Sequence, residues 1–478
     1  MENKQIFAHI SHISAANNLK VYIVGGFVRD ELLMRGERKD LDFVVEGSGI
    51  EFANKFFELL GEDQASIIPF ADFDTARVVI KNEEGVGVID IEFAGARSES
   101  YEEHSRKPKV VSTTLEHDLS RRDFTVNAMA RQILTGGILG DLIDPFGGEK
   151  DLQNKIIRTP LDPSITFSDD PLRMLRAARF AAQLEFEIET ETYAALVLNK
   201  ERLKIISAER IQEELFKLLK ARVPSVGLWI LSNTKLFDEF LPEVNLLAGV
   251  EEVLGYSHKD NLSHTFAVVD NIAQYTSDPL LRFAALMHDI AKPDTKQFVP
   301  GRGWTFDMHD HLGKKMVKDI GKRLRMSKKD TDYIAKLVRW HLQPIALMDE
   351  EITDSAVRRL VVNLGDDLEA LLMLCRSDIT TGNQRKKEHR LKNYDILEKR
   401  IAEVFEKDRL RAFQSPLRGE EIMELCGLKP GPTIGKIKKV LEEAILEGTI
   451  PNEYEATKEY FLTIKDEYIA EAQDWEKM

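Results

Sequence analysis

The stretch VYIVGGFVRDELLMRGERKDLDFVV (21–45) decides the fold of the N-terminal part of the chain. A β-rich run, VYIV, ends on Gly25-Gly26, and a short helical pattern begins near Val28. Paired glycines let a backbone approach a phosphate closely, and a helix start presents free N–H groups to an anion. Arg29 adds a fork of donors suited to phosphate oxygens. Asp40-Leu41-Asp42 then opens the next strand. Residues i and i+2 of a strand share a face, so these two carboxylates can jointly hold a hard divalent cation. Their mutual repulsion is unfavourable without one.

Working outward, ARVVI (76–80), GVIDIEF (87–93) and NAMARQIL (127–134) read as further strands or strand-containing runs. GVIDIEF places Asp90 and Glu92 on one face. An exposed strand edge explains any one acidic pair. It does not explain a glycine turn, an Asp-x-Asp strand and a later acidic strand in this order. Beyond residue 155 the period becomes helical, as in PLRMLRAARFAAQL (171–184), AERIQEELFKLLKA (208–221) and LRFAALMHDIA (281–291). The expected class is α+β: a small mixed α/β head over 1–155, a helical neck and body over 156–245, a central domain over 246–404 and a helical tail over 405–478.

The 478 residues suggest about three domains at very roughly 150 residues each. Hydrophobic residues at 43% and charged residues at 31% fit a soluble globular chain. No run of about 18 apolar residues reads as a transmembrane helix, and the N-terminus lacks the pattern of a signal peptide. Two cysteines, Cys375 and Cys426, form no disulfide framework, so a reducing cytoplasm is expected. The net charge of −15 argues against an overall polyanion-binding surface. Local runs depart from it: residues 314–339 carry ten Lys/Arg against three Asp/Glu, and QRKKEHRLK (384–392) is basic.

Four further motifs follow in order: RRDFTVNAMA (121–130), DPFGGEKDL (144–152), DDPLRMLRAARFAAQLEF (169–186) and SAERIQEEL (207–215). With the glycine turn and the Asp-x-Asp strand, they resemble the polymerase-β-like nucleotidyltransferases, specifically the bacterial tRNA nucleotidyltransferase and poly(A) polymerase family. The resemblance covers about 220 residues. It implies Mg²⁺ at Asp40 and Asp42, with Glu92 as the third carboxylate and Asp90 in reserve. It implies that Gly25, Gly26, Arg29 and Arg122 meet the triphosphate or ribose, while Asp123 and Asn127 hold the head together locally.

The helix from 170 carries Asp170, Arg173, Arg176 and Arg179 in steps of three, so neighbours lie close, and the resemblance implies that all four bind the incoming nucleotide. Cytosine and adenine each offer an amino donor beside a ring-nitrogen acceptor. A carboxylate only accepts and a guanidinium only donates, so Asp170 with Arg173 matches both bases. Guanine and uracil reverse the order, and such mispairing can reject an analogue by about 10⁴-fold or more. Asp169 stands where the family more often has Glu, a departure expected to matter little for base choice. RSESYEEHSRKPKVVSTTLEHD (97–118) resembles the family's flexible loop at full length, which favours addition of C, C and A over two cytidines alone.

His264-Thr265, His288-Asp289, His309, His341 and Asp378 form a second series, with His311 as the alternative to His309. Imidazole and carboxylate suit transition metals with open positions for water and phosphate. The order resembles HD-type phosphohydrolases, which implies a divalent metal (Mg, Mn, Co or Ni) and hydrolysis of phosphoesters at RNA 3′ ends. An HD scaffold that only clamps RNA is the alternative. The tail 417–456 resembles the family's tRNA-binding part, with Lys436, Lys438 and Lys439 placed for phosphate. The expectation is a cytoplasmic CCA-adding enzyme with CTP, ATP and tRNA as partners, no membrane and no obligatory protein partner. The rivals are a poly(A) polymerase and an HD hydrolase whose head only binds nucleotide.

Overall fold

A computed structural model of the chain describes residues 1–36, 39–82, 84–100, 109–253, 256–257, 260–348, 353–411, 415–446, 449–451 and 453–477. The centre of the expected flexible loop, residues 101–108, lies outside the described residues. The chain falls into two compact units: residues 1–342 with 366–387, and residues 343–365 with 388–478. No helix among the described residues is long and apolar enough to cross a membrane.

The head is built on a seven-stranded mixed sheet. Across it the strands run Ala65–Phe70, Thr75–Lys81, Gly87–Gly95, Asp40–Val45, Val21–Val24, Ala130–Leu134 and Ile138–Ile143. Asp40–Val45 pairs parallel with Gly87–Gly95, setting Asp40 opposite Asp90 and Asp42 opposite Glu92. On its other side it pairs antiparallel with Val21–Val24, setting Val24 opposite Asp42.

Strand alternation sorts these side chains onto two faces. Leu41 and Phe43 face the helix Gly49–Leu60, which Ser48 caps by accepting from the Glu51 N–H. Phe93 stacks on Phe43 at 5.3 Å and meets Phe52 and Phe56 at 5.2 and 5.3 Å, so one face is sealed by aromatic packing. On the opposite face Tyr22, Val24 and Val44, with Ala130 of the adjoining strand, cluster with Leu115, Leu119 and Ala128. That cover stops short of Asp40 and Asp42, which stay exposed.

The rest of the first unit is helical. Leu172–Leu184 packs against Ala208–Leu219 and Ser225–Asn233. Ala208–Leu219 in turn packs on Pro279–Met287 through Phe216 and Phe283 at 5.6 Å. Buried Arg282 donates to the carbonyls of Leu219, Ala221 and Ala273, satisfying helix-end acceptors from two elements at once. The neck and the histidine-bearing helices therefore form one body. The second unit contains the helix Asp354–Leu364, whose Asp354 accepts from Arg400 of the helix Gln384–Arg411. Its tail core gathers Leu417, Ile422, Leu428, Ile437, Leu441 and Phe461. The division expected at residue 405 falls inside the continuous helix Gln384–Arg411. The Pro and Gly that suggested it lie only beyond that helix, at Pro416 and Gly419.

Phe93→Ala should destabilise the head by about 3–5 kcal/mol, because a fully buried ring leaves a cavity among three others. Thermal unfolding followed by near-ultraviolet circular dichroism tests this. An unchanged melting profile would refute the packing described.

Candidate functional site

The glycine turn is set by backbone geometry. Gly25 has φ +69 and ψ −129, a conformation that strains any residue with a Cβ. A Cβ there would also stand 3.1 Å from Arg122 Nη1 and 3.7 Å from Asp42 Oδ2. The turn, the Asp-x-Asp strand and the RRDFT segment thus converge on one point. Gly26 is the first residue of the helix Gly26–Leu32. Arg122 is steered by buried Asp118, 3.2 Å away, which also holds Arg121 at 2.9 Å. Burial works against the Asp118 carboxylate, but Arg122 and Arg121 outweigh it and hold its pKa below the usual range.

Asp40, Asp42, Asp90 and Glu92 share the open face. Arg77 on the neighbouring strand pairs with Asp90 through two bonds of 2.8 and 2.7 Å. Those bonds, with Asp40 and Glu92 adding charge, raise the Arg77 pKa. Asp90 is therefore committed to Arg77, while Glu92 stands in register with Asp42. Hard carboxylate oxygens on one face fit Mg²⁺.

Arg29 lies elsewhere than expected. It is buried, donating to Asp30 at 2.8 and 3.1 Å and to Asn127 Oδ1 at 2.7 Å. Asn127 donates to Asp123, which accepts from Arg176 at 2.8 and 2.5 Å. Burial disfavours the Asp123 carboxylate, but Arg176 more than compensates and drives its pKa far down. Arg179 pairs with buried Glu214 at 2.9 Å, and burial, with Arg176 nearby, pulls its pKa down to about 10. The ring of Phe180 lies 4.3 to 5.4 Å from the guanidiniums of Arg29, Arg176 and Arg179. This network ties the glycine-turn helix to the neck.

Asp170 does not sit on the helix. Pro171 disfavours helical backbone in the residue before it, so Asp170 is extended at φ −133, ψ 95, and accepts from the Leu172 N–H at 3.2 Å. The helix begins at Leu172. Arg173 reaches back to the Arg121 carbonyl at 2.6 Å, and Arg210 stands 3.7 Å from Asp170.

The histidines form a second, denser centre. His264 Nε2 is 2.9 Å from Asp378 and 3.5 Å from Asp289 Oδ2; His288 Nε2 is 3.2 Å from Asp289 Oδ2. On the other oxygen, Asp289 Oδ1 meets His309 at 3.3 Å and His341 at 3.8 Å. Two groups result, each with ligand atoms within 4.8 Å of one another: His264, His288 and Asp378; and Asp289, His309 and His341. His309 enters the centre, whereas His311 lies outside it, half-exposed beside Asp310.

The tautomers follow from the outer partners. Nδ1 of His288, His309 and His341 lies 2.7 Å from the carbonyls of Ala285, Phe306 and Val338. A carbonyl only accepts, so each Nδ1 carries the proton and each Nε2 turns a lone pair inward. Lone pairs and carboxylate oxygens then face one another, and buried His288 Nε2 has no hydrogen-bond donor to meet. Such a set needs a cation. Supplied as a proton, it appears on His288: burial opposes the charge, but Asp289 and Asp378 raise its pKa to about 10. Burial, with His288 beside it, pulls His341 down to about 4. A divalent metal fits the same donors. Lys292, which donates to Asp289 at 2.5 Å, joins the centre from outside the expected series.

Fold and sites together define a nucleotidyltransferase-type head joined to an HD-type centre. Residues 21–158 match the Poly A polymerase head domain, 185–247 the probable RNA and SrmB-binding site of polymerase A, and 261–371 the HD domain. An A-adding tRNA nucleotidyltransferase of Deinococcus radiodurans is 33% identical over 353 residues, 72% of this chain and 78% of that protein. A multifunctional CCA protein of Neisseria meningitidis is 33% identical over 331 residues, 68% and 73% of the two chains. A solved tRNA nucleotidyltransferase, complexed with a primer tRNA and an incoming ATP analogue, is 25% identical with a TM-score of 0.57, covering 82% of this chain and 98% of that one. A CCA-adding enzyme in its apo form shares the fold, with a TM-score of 0.60 at 23% identity over 96% of this chain and 95% of that one. The chain belongs to the tRNA nucleotidyltransferase family, and it is an enzyme.

Glu214→Ala removes the carboxylate that neutralises Arg179 and lies 3.8 Å from Arg176. Breaking a buried pair from one side typically costs about 3–5 kcal/mol, so the variant should melt well below the parent. A melting temperature within one degree or so of the parent would contradict the strut role.

Proposed function

We propose that this enzyme completes the 3′-terminal C, C and A of tRNA from CTP and ATP without a nucleic-acid template, and that its HD centre hydrolyses phosphoesters at RNA 3′ ends. The observation that carries the first part is the convergence of Gly25, Asp42 and Arg122 on the open acidic face. The tRNA 3′-hydroxyl oxygen attacks the α-phosphorus, the bridging bond to the β-phosphate breaks, and pyrophosphate leaves. Asp40, Asp42 and Glu92 would hold Mg²⁺, which would supply Lewis-acid activation of the attacking oxygen and offset phosphate charge. Gly25 and Gly26 admit the triphosphate to the backbone, and Arg122, aimed by Asp118, binds it. Arg29 and Arg179 act as buried struts that fix the turn and the neck rather than as phosphate ligands.

Asp170 and Arg173 would read the base edge, with Arg176 fixing the helix that carries Arg173 to Asp123. Support comes from the RRDFT segment: Arg122 faces the glycine turn while the adjacent Arg121 carbonyl holds Arg173. Phosphate binding and base reading are thereby linked through two consecutive residues. A narrower reading, addition of the terminal A alone, is favoured by the D. radiodurans relative. Incorporation from CTP alone into tRNA lacking CCA separates the two. We place the enzyme in the cytoplasm with its tRNA, consistent with Cys375 and Cys426 not being joined in a disulfide.

In the HD centre, His264, His288, Asp289, His309, His341 and Asp378 would hold Mg²⁺, Mn²⁺, Co²⁺ or Ni²⁺, supplying Lewis-acid polarisation of a phosphoryl oxygen. Water adds to phosphorus of a 2′,3′-cyclic phosphate, one ring P–O bond breaks, and a monoester remains. We assign head, neck, HD domain and tail to residues 1–155, 156–245, 246–404 and 405–478, the last reckoned from sequence signals rather than from helix ends.

The two chemistries should separate cleanly. Asp42→Ala should lower CMP incorporation at least 10³-fold while leaving cyclic-phosphate hydrolysis within about twofold of the parent, removing a carboxylate that positions the transferred phosphoryl. Asp289→Ala should do the reverse. Near-normal CMP incorporation by Asp42→Ala, with an unchanged melting profile, would sink the head assignment. Absence of hydrolysis by the parent with all four metals would leave the HD domain as a scaffold.

A further inference from the structure

The basic run 314–339 has no role in either chemistry above. Part of it lines a pocket of 480 Å³ formed by Thr295, Met308, His311, Leu312, Lys314, Lys315 and Lys318. On the helix His309–Arg323, positions 311, 314, 315 and 318 follow the three-to-four spacing of one face. The opposite face, including Val317 and Ile320, is buried. Two lining residues adjoin the HD centre along the chain. Met308 directly precedes His309, and Thr295 ends the short helix Lys292–Thr295 that begins with the Asp289-bound lysine.

Every titratable side chain lining this pocket is basic, on a chain of net charge −15. A neighbouring pocket of 550 Å³ shows the contrast, with Asp278, Asp330, Asp332 and Asp367 against Lys329 and Lys336. Asp310, 3.9 Å from His311, is held by Arg339 at 2.5 Å. Lys318 approaches Asp332 at 3.6 Å, while Lys314 and Lys315 have no acidic partner among the described residues. Like charges at this spacing repel. Folding leaves that repulsion uncompensated, so the pocket is built for an anion.

We propose that this pocket is a phosphate subsite which binds the backbone of a polyribonucleotide while its 3′ end occupies the HD centre. The proposal rests on the HD hydrolase reading and deepens it: the preferred substrate is the end of a strand, not a free nucleotide. Leu312 and the Met308 side chain, 60% exposed, give the pocket an apolar wall against which a sugar or base can lie.

The test compares hydrolysis of a tetraribonucleotide ending in a 2′,3′-cyclic phosphate with that of adenosine 2′,3′-cyclic phosphate, using the full-length enzyme. The double variant Lys314→Ala/Lys315→Ala changes exposed side chains only, so it should fold as the parent does. Its ratio of kcat/KM, tetranucleotide over mononucleotide, should fall about tenfold through KM. The salt slope of tetranucleotide affinity should shrink by roughly 0.7 for each phosphate that the variant no longer neutralises. In parallel, lysine acetylation read by mass spectrometry should show Lys314 and Lys315 of the parent protected by the tetranucleotide. An unchanged ratio together with equal acetylation in its presence and absence would overturn the proposal. If the parent hydrolyses neither substrate, the hydrolase reading falls by itself. The acetylation pattern then decides the subsite: protection of both lysines upholds it, and none refutes it.

Discussion

Carboxylates brought together on a protein surface repel, and much of this molecule is arranged around that constraint. Parallel pairing of Asp40–Val45 with Gly87–Gly95 puts four acids on one face of the head. Arg77 pairs with Asp90 and stands opposite Glu92 in the strand register, while Asp42 lies beside the glycine turn. The same problem recurs in the HD centre, where buried Asp289 and half-buried Asp378 sit among four imidazoles whose outer nitrogens are already committed to partners. In both places cations already stand beside the carboxylates, Arg77 in the head and Lys292 with protonated His288 in the HD centre, and a divalent cation is a further charge that each donor set can accept.

The donor sets differ in a way that suits two chemistries. The head offers exposed carboxylate oxygens beside a backbone turn, a hard and open arrangement for a triphosphate. The HD centre offers mainly imidazole, buried and oriented by carbonyls three residues upstream, an arrangement that holds its geometry without substrate. Between them run the buried pairs of Arg29, Asp123, Arg176, Glu214 and Arg179, and the contact of Arg282 with the end of the neck helix.

Several features were legible in the sequence because they depend on local spacing. The Asp-x-Asp strand, the glycine turn and the order of histidines carry their meaning within a few residues or as a fixed series. What was hidden depends on register or burial. Nothing in ARVVI marks Arg77 as the partner of Asp90, since that diagonal contact exists only once strand alignment has set Arg77 opposite Glu92. Arg29 and Arg179 look like free phosphate ligands until their carboxylate and amide partners, up to 98 residues distant, are seen beside them. The extended backbone of Asp170 was readable, since proline follows it, but the regular arginine spacing pointed to a helix instead. The tail unit takes in residues 343–365, a return of the chain that no local signal announces.

The central claim is that the protein itself, through side chains at the neck and turn, chooses which nucleotides are added and when addition stops. The direct measurement is sequencing of tRNA 3′ ends after a tRNA lacking CCA is incubated with the enzyme and all four nucleoside triphosphates. The account predicts molecules ending in C, C and A, with U and G rare and no extension beyond the final A. Runs of adenosine, addition of a single A to the bare end, or frequent U and G would contradict it.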